Sequence, residues 1–360
     1  MPSLAKLLKQ MVAHGASDLF LSTGRSPAFR IQGKLKSFDD SLLTNEATNE
    51  LARAVMSEAQ YQAFLNQGEM NLSFALHKVG RFRLNIFRQR RQVAMVIRAI
   101  PNAVPTPDEL GIPAILKDVA MLRQGLVLVV GPTGTGKSTT LASLIDFRNH
   151  HDAAHIITLE EPIEYTLSHA RSVVNQREIG IDTRSYHQAL QNALRQSPDV
   201  LMIGEIRGQD SMEHAVTFAD TGHLCLATLH ALNASQAFER IVNLFPENKR
   251  EQVLLSLSLT LRAVVSQQLV PTLEGKRTAA FELLLTNPRI SDLIRRGQFN
   301  ELHETMEKAG SLGMQTLDQS LYNLYEQNVI SAETALEYAS SYHNMRLRLR
   351  LTSTPQSAAP

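Results

Sequence analysis

The sequence predicts an α/β fold: a domain on a parallel-rich sheet, preceded by a smaller α+β module. Three observations carry this. From residue 113 onward, continuous apolar runs at 126–130, 155–159, 200–203, 224–229 and 279–284 alternate with helical segments. That pattern belongs to parallel strands covered on both faces. Before residue 101, strand-like and helix-like stretches are mixed within a short module. Between the two lie Pro101, Pro105 and Pro107, which can continue neither a ladder nor a helix, so 101–112 reads as a semi-rigid linker.

Taken in order, Leu4, Leu7, Leu8, Met11 and Val12 have the one-face spacing of a short helix, and Gly15 suits the position just past its end. Strands are expected at 17–22 and 27–35, a helical stretch at about 44–65, and strands at 71–76, 81–88 and 93–99. The N-terminal module thus spans 1–100 and the core 113–290, with helices over 291–345 and a basic tail over 346–360. Within that tail, 352–360 has the composition of a disordered end. Alternation over 345–351 puts Arg346, Arg348 and Arg350 on one side of an extended chain. Such a segment either adds an edge strand, contacts an acidic partner or membrane surface, or is a weakly ordered terminus.

Composition narrows the function. With 36 Lys and Arg against 35 Asp and Glu, the net charge of +1 gives no global field to recruit nucleic acid or anionic membrane. The single cysteine, Cys225, excludes an intrachain disulfide and a multi-thiolate zinc site, and it fits a reducing cytosol. No apolar leader follows Met1, and no apolar stretch is long enough to span a bilayer, so membrane association is expected only through partners or surface contact.

Gly131-Pro132-Thr133-Gly134-Thr135-Gly136-Lys137-Ser138 is a complete P-loop, with a buried strand before it and a helix expected from Thr139. The glycines let successive N–H groups turn toward phosphate oxygens, and the helix N-terminus adds partial positive charge. Lys137 can then reach the β- and γ-phosphates, and Ser138 can ligate Mg²⁺. These eight residues and Thr139 are the candidate ligands of ATP. Hydrolysis further needs a carboxylate for water, an acid in the metal shell, and cations for the developing charge. Glu160, Glu161 and Glu164 follow the second apolar run around Pro162, and the alternative for them is a solvated loop. The third run ends in Gly204-Glu205, an acid aimed at Mg²⁺ or its waters, with Arg207 on the same loop.

His223 and His230 bracket the fourth run, at opposite ends of one strand and too far apart to share an ion. Each reads as a γ-phosphate contact, a polar interface contact, or a solvated strand end. Arg81, Arg83, Arg88, Arg90 and Arg91 crowd one N-terminal strand and its turn. Nucleic-acid binding, arginine fingers reaching a neighbouring subunit, and a solvated strand face remain level as readings.

These motifs together resemble the type II/IV secretion ATPase superfamily, and within it the PilT/PilU type IV pilus retraction ATPases. The P-loop matches the family's Walker A motif, and Glu160-Glu161-Pro162-Ile163-Glu164 its acidic box. The stretch from Leu194 to Arg207 is similar to its Walker B signature, and Gly222-His223 through His230 to its His box. Glu161 and Gly208 stand where Asp is usual, and Phe20 where a histidine is common; none of these removes a presumed catalytic group. The segments 222–231 and 345–351 are closer to the PilU type than to PilT. One cysteine and a short N-terminal module set the chain apart from assembly and type II secretion members, many of which carry a four-cysteine zinc element.

The resemblance implies a homo-hexameric ring of subunits, each with a PAS-like N-terminal domain and a RecA-like ATPase core. It implies Glu164 as the water-activating glutamate and Glu205 as the Walker B acid, with Lys137 completing the catalytic set. His223 and His230 align with the His-box pair, and Arg83 and Arg98 with arginines that approach nucleotide from the N-terminal domain. The implied cofactors are ATP and Mg²⁺, and the implied partner is a platform protein at the pilus base. The implied location is cytoplasmic, peripheral to the inner membrane. Alternatives are an accessory subunit supporting a paralogous retraction ATPase, and a nucleic-acid translocase on the same core. The near-neutral charge disfavours the translocase, so no nucleic-acid partner is expected.

Overall fold

The computed structural model describes residues 3–38, 40–101 and 103–353, which fall into two compact units. The first comprises Met1–Ala103 with Glu164–Thr166; the second comprises Val104–Ile163 and Leu167–Pro360.

The first unit contains helices α1 (Leu4–Ala13), α2 (Asn45–Arg53) and α3 (Glu58–Gln67) and six strands. These are β1 (Asp18–Ser22), β2 (Ala28–Ile31), β3 (Lys34–Ser37), β4 (Glu69–Leu76), β5 (Gly80–Gln89) and β6 (Gln92–Ile100), in the antiparallel order β3-β2-β1-β6-β5-β4. Leu4, Leu7, Leu8 and Met11 of α1 are buried with Leu19, Phe29, Phe82, Leu84 and Ile97, whereas Val12 is exposed.

Two expected elements prove to be pairs. The strand expected at 27–35 is a hairpin, because Gln32 and Gly33 both take positive φ and close a two-residue turn between β2 and β3. The helical stretch at 44–65 is broken after Arg53. Ser57 restarts the helix as α3 with a reciprocal capping box to Gln60.

The second unit holds a seven-stranded sheet. Its strands are β7 (Gly125–Val130), β8 (His155–Glu160), β9 (Val173–Glu178), β10 (Val200–Ile203), β11 (Leu224–Leu229), β12 (Leu261–Pro271) and β13 (Arg277–Leu285). The order is β13-β12-β7-β11-β10-β8-β9, parallel throughout except for the β12–β13 pair. The helices are α4 (Ile115–Ala120), α5 (Lys137–His151), α6 (Tyr186–Ala193), α7 (Gln209–Asp220), α8 (Ala234–Asn243) and α9 (Glu247–Thr260). They continue with α10 (Pro288–Arg295), α11 (Leu302–Lys308), α12 (Leu317–Glu326), α13 (Ala332–Tyr338) and α14 (Tyr342–Ser353).

Burial on both faces explains the continuous apolar runs. Leu126, Leu128 and Val130 point into one core with residues of α6, α7, α8 and α10, while Val127 and Val129 point into another with α4 and α5. Strands β9 and β12 are not anticipated from sequence, and β13 is antiparallel. Part of the proline segment docks on this unit, since Ile112 is buried in the α4–α5 core and Val104 and Leu110 pack against it.

Of the readings for the tail, the edge strand and the weakly ordered terminus are corrected over the described residues. Residues 342–353 are helical, and Met345 and Leu349, one turn apart, are buried against Val270, Ala280, Leu321 and Ile330. Arg348 donates to Glu307 at 2.7 Å. The expectation of disorder beyond residue 353 lies outside the described residues. Among the described residues no helix is long and apolar enough to cross a membrane.

Candidate nucleotide site

Strand β7 ends at Val130 and α5 begins at Lys137, so the P-loop is the connection between a fully buried central strand and a helix N-terminus. Gly131, Gly134 and Gly136 all have positive φ. At Gly131 a Cβ would lie 2.5 Å from the Gln267 carbonyl oxygen and 2.7 Å from Thr135 Oγ1. At Gly136 it would lie 3.0 Å from Gln267 Nε2. Only glycine fits at Gly131, because β12 runs against the loop.

Lys137 is buried, and its ammonium donates to the carbonyls of Gly131 at 2.9 Å and Pro132 at 2.8 Å. Thr135 Oγ1 also donates to Pro132 O at 2.9 Å. The loop is therefore already curled around its own lysine. Behind it, the Thr140 hydroxyl donates to Gln267 Oε1 at 2.7 Å, with both residues buried.

The parallel register brings the ends of β7, β8, β10 and β11 to one sheet edge. Glu205, two residues past β10, meets Arg207 and His230 there. Arg207 Nε donates to its Oε2 at 2.6 Å, and His230 Nε2, just past β11, lies 2.8 Å from its Oε1. The same guanidinium donates to Glu161 Oε2 at 2.6 Å, so Arg207 clasps the acidic loop after β8 to the acid after β10. The bond to Glu205, then the charges of Glu205 and Glu161, push the guanidinium still further above its ordinary pKa. Thr228 donates to Gly204 O, and the Ile206 amide donates to Thr228 O at 2.8 Å, which fixes the turn carrying Glu205. Glu160 is buried and accepts from Thr158 at 2.6 Å and Gln176 at 3.0 Å, which gives it structural partners within its own sheet.

The expected residues are not all brought together. Lys137, Ser138, Glu205 and His230 share the carboxyl edge of the sheet. His223 does not: it precedes β11, whose first residue Leu224 pairs with Gly125, six residues before the P-loop. One strand length, about 20 Å, separates that end from the loop. His223 instead bonds Thr221 Oγ1 at 3.1 Å and packs on Phe218. Its expected place at the nucleotide of the same chain is corrected, and the interface contact and the solvated strand end are the readings that remain. Arg83 and Arg98 belong to the first unit, directly opposite each other on β5 and β6. Arg98 Nε donates to the buried Asp18 at 2.8 Å. Glu164 falls in the segment Glu164–Thr166 grouped with that unit.

Sequence reasoning missed Gln267, Thr228 and Tyr186. Two consecutive glutamines inside the largely apolar β12 are a usable signal for a buried polar contact; Tyr186, the first residue of α6, carries none. Among the described residues no group of three or more His, Cys, Asp or Glu is placed to hold a metal ion. The donor set instead suits a cation held chiefly by phosphate oxygens, with one or two protein oxygens beside it. An open groove of about 480 Å³ lies beside the loop, bounded by Pro132, His230, Leu232, Gln236 and Arg240.

Comparison with known proteins agrees with this geometry. Residues 1–346 match the family model described as "Type II/IV secretion system protein". Over 349 residues the chain is 49% identical to the type IV pilus ATPase PilU of Pseudomonas aeruginosa, covering 97% of this chain and 91% of that one. It is 39% identical over 341 residues to the type IV pilus retraction ATPase PilT of the same organism, covering 95% and 99%. The greater similarity to PilU bears out the expectation from 222–231 and 345–351. The crystal structure of the pilus retraction motor PilT with bound ADP superposes with a TM-score of 0.90 at 41% identity, covering 96% of this chain and all of that one. The family match and the identity, each spanning nearly the whole length of a chain with this fold and its P-loop, place it in the type II/IV secretion system protein family.

Proposed function

We propose that the protein is an ATP-hydrolysing motor of type IV pilus retraction, the activity that underlies twitching motility, working as a homo-hexamer at the cytoplasmic face of the inner membrane. The observation that carries the reading is the convergence of Lys137, Glu205 and His230 at one sheet edge beside a P-loop. It is supported by the similarity to pilus ATPases over nearly the whole chain.

Lys137 holds two loop carbonyls here, and phosphate oxygens take their place as stronger, charged acceptors when ATP enters. Backbone N–H groups of the loop and the start of α5 cradle the β-phosphate. Ser138 and Glu205 are the residues that would hold Mg²⁺, which when bound neutralises charge on the β- and γ-phosphates. Glu164 orients the attacking water. Arg83 and Arg98, from the first unit, offer charge to the transferred phosphoryl group. Hydrolysis then drives rotation of the PAS-like domain against the RecA-like core about the 101–107 segment, and the ring passes that motion to a platform protein.

ATP turnover by the purified protein, compared with Lys137→Ala and Glu164→Ala, tests the chemistry; full activity in both variants sinks it. Deleting the gene alone, and then beside a paralogous ATPase gene, and scoring surface motility separates an autonomous motor from an accessory one.

A further inference from the structure

Tyr186 opens α6, and its phenol oxygen is buried with no hydrogen-bond partner. Its location makes this unusual. A Cβ built on Gly204 would lie 3.3 Å from the phenol oxygen, 3.2 Å from Glu160 Cα and 3.1 Å from Leu159 O. The hydroxyl therefore sits at the seam where the end of β8 meets the end of β10, between the Glu160-Glu161 pair and the Gly204-Glu205 turn. Glu161, Glu205 and Glu160 all act on it electrostatically, and so does Arg207.

Buried hydroxyls normally have a partner, and one without bears a desolvation cost that phenylalanine would avoid with the same ring. The surroundings here offer carboxylates, yet in this structure Glu205 and Glu161 are turned to Arg207 and His230.

We infer that Tyr186 is a positioning residue for the metal-shell carboxylate, its hydroxyl poised to donate to the Glu205 side once the nucleotide draws that carboxylate away from Arg207. Tyr186 does not touch the reacting phosphorus or act as a base. It fixes which way Glu205 points when the hold of Arg207 is released. The inference rests on the reading of Glu205 as the Walker B acid.

The test is Tyr186→Phe in the full-length protein, which removes one oxygen and preserves the packing of the ring. Three quantities are compared with wild type: ATP turnover, Mn²⁺ affinity in the presence of ADP by electron paramagnetic resonance, and the thermal unfolding midpoint. The expected result is a fall in kcat and in Mn²⁺ affinity of about ten- to a hundredfold, the range of a hydrogen bond to a charged group. Metal-free ADP affinity stays unchanged, and the unfolding midpoint stays equal or rises.

Turnover and Mn²⁺ affinity both within about twofold of wild type would overturn the inference, leaving the hydroxyl a tolerated buried group. A lowered midpoint would also overturn it, by showing that the hydroxyl serves folding. Wild-type protein that hydrolyses no ATP would defeat the proposed function, while the Mn²⁺ arm would still decide the role of Tyr186.

Discussion

Replacing Gln267 by leucine tests whether β12 holds the P-loop in place. The Thr140 hydroxyl donates to Gln267 Oε1 at 2.7 Å, with Thr140 1% and Gln267 4% exposed, so water cannot substitute for a lost acceptor. A buried hydroxyl left unpaired costs about 1–3 kcal/mol. Thr140 lies inside α5, where a threonine can turn to the carbonyl four residues back, here Gly136, which moves the expectation to the lower part of that range. Gln267→Leu should therefore destabilise the second unit by about 1–2 kcal/mol. Thr140→Val combined with Gln267→Leu should recover most of that, because neither partner is then left alone.

A chain of two units need not unfold in one step, so the probe must report on one of them. The sole cysteine, Cys225, is fully buried in β11 beside β7, and its labelling by a thiol reagent along a urea series follows this sheet specifically. The same cycle read by ADP affinity should show weaker binding for Gln267→Leu, since Gln267 packs directly on Gly131 and Gly136. A single variant within about 0.5 kcal/mol of wild type, or a double variant as unstable as the sum of the singles, refutes the reasoning.

Gly131→Ala should abolish nucleotide binding while leaving the first unit folded, because its Cβ would come within 2.5 Å of a β12 carbonyl and 2.7 Å of Thr135; isothermal titration with ADP checks it. Burial pushes the Cys225 thiol far above its ordinary pKa, so the folded form keeps its proton where the unfolded form, ionising near about pH 8.5, releases it. Above that pH the unfolded state binds fewer protons, so stability falls as pH rises, with a limiting slope of about 1.4 kcal/mol per pH unit. Wild type should lose stability relative to Cys225→Ala between pH 8.5 and 10, followed by circular dichroism, and no difference in slope would contradict it. Met345→Ala should cost about 2–5 kcal/mol by removing a fully buried side chain of α14 from the C-terminal core. Truncation after Asn344 should cost at least as much, measured by thermal unfolding.

What was legible in the sequence was what is local. The P-loop, its strand and its helix follow one another within a short stretch, so glycine spacing and apolar continuity suffice to read them. Strand β12 was hidden because it continues from α9 without a turn residue, helix ending at Thr260 and strand beginning at Leu261. The β2–β3 hairpin was hidden because its turn is Gln32-Gly33, not the usual Asn-Gly or Asp-Gly. Residues 345–351 alternate in a way that fits a strand, yet Met345 and Leu349 are also one helical turn apart, and packing against Leu321 and Ile330 decides between the two periods. The clasp of Arg207 on Glu161 joins residues far apart in sequence, and no local pattern announces it.

That clasp makes Glu205 the residue on which the site turns. Two carboxylates, Glu161 and Glu205, are close enough to share one guanidinium, so in its absence they would repel each other. Arg207 bonds both of them and His230 lies against Glu205 in this structure, just as Lys137 donates to carbonyls of its own loop. Lys137 and Glu205 are therefore paired within the protein and not with each other. Under the proposed function, ATP and its cation would bring opposite charges to the same edge: phosphate toward Lys137, metal toward Glu205. Loading the site would then exchange one set of short, charged contacts for another, which limits the net cost of opening either pair. A cation at Glu205 would compete with Arg207, the side chain that ties the loop after β8 to the one after β10.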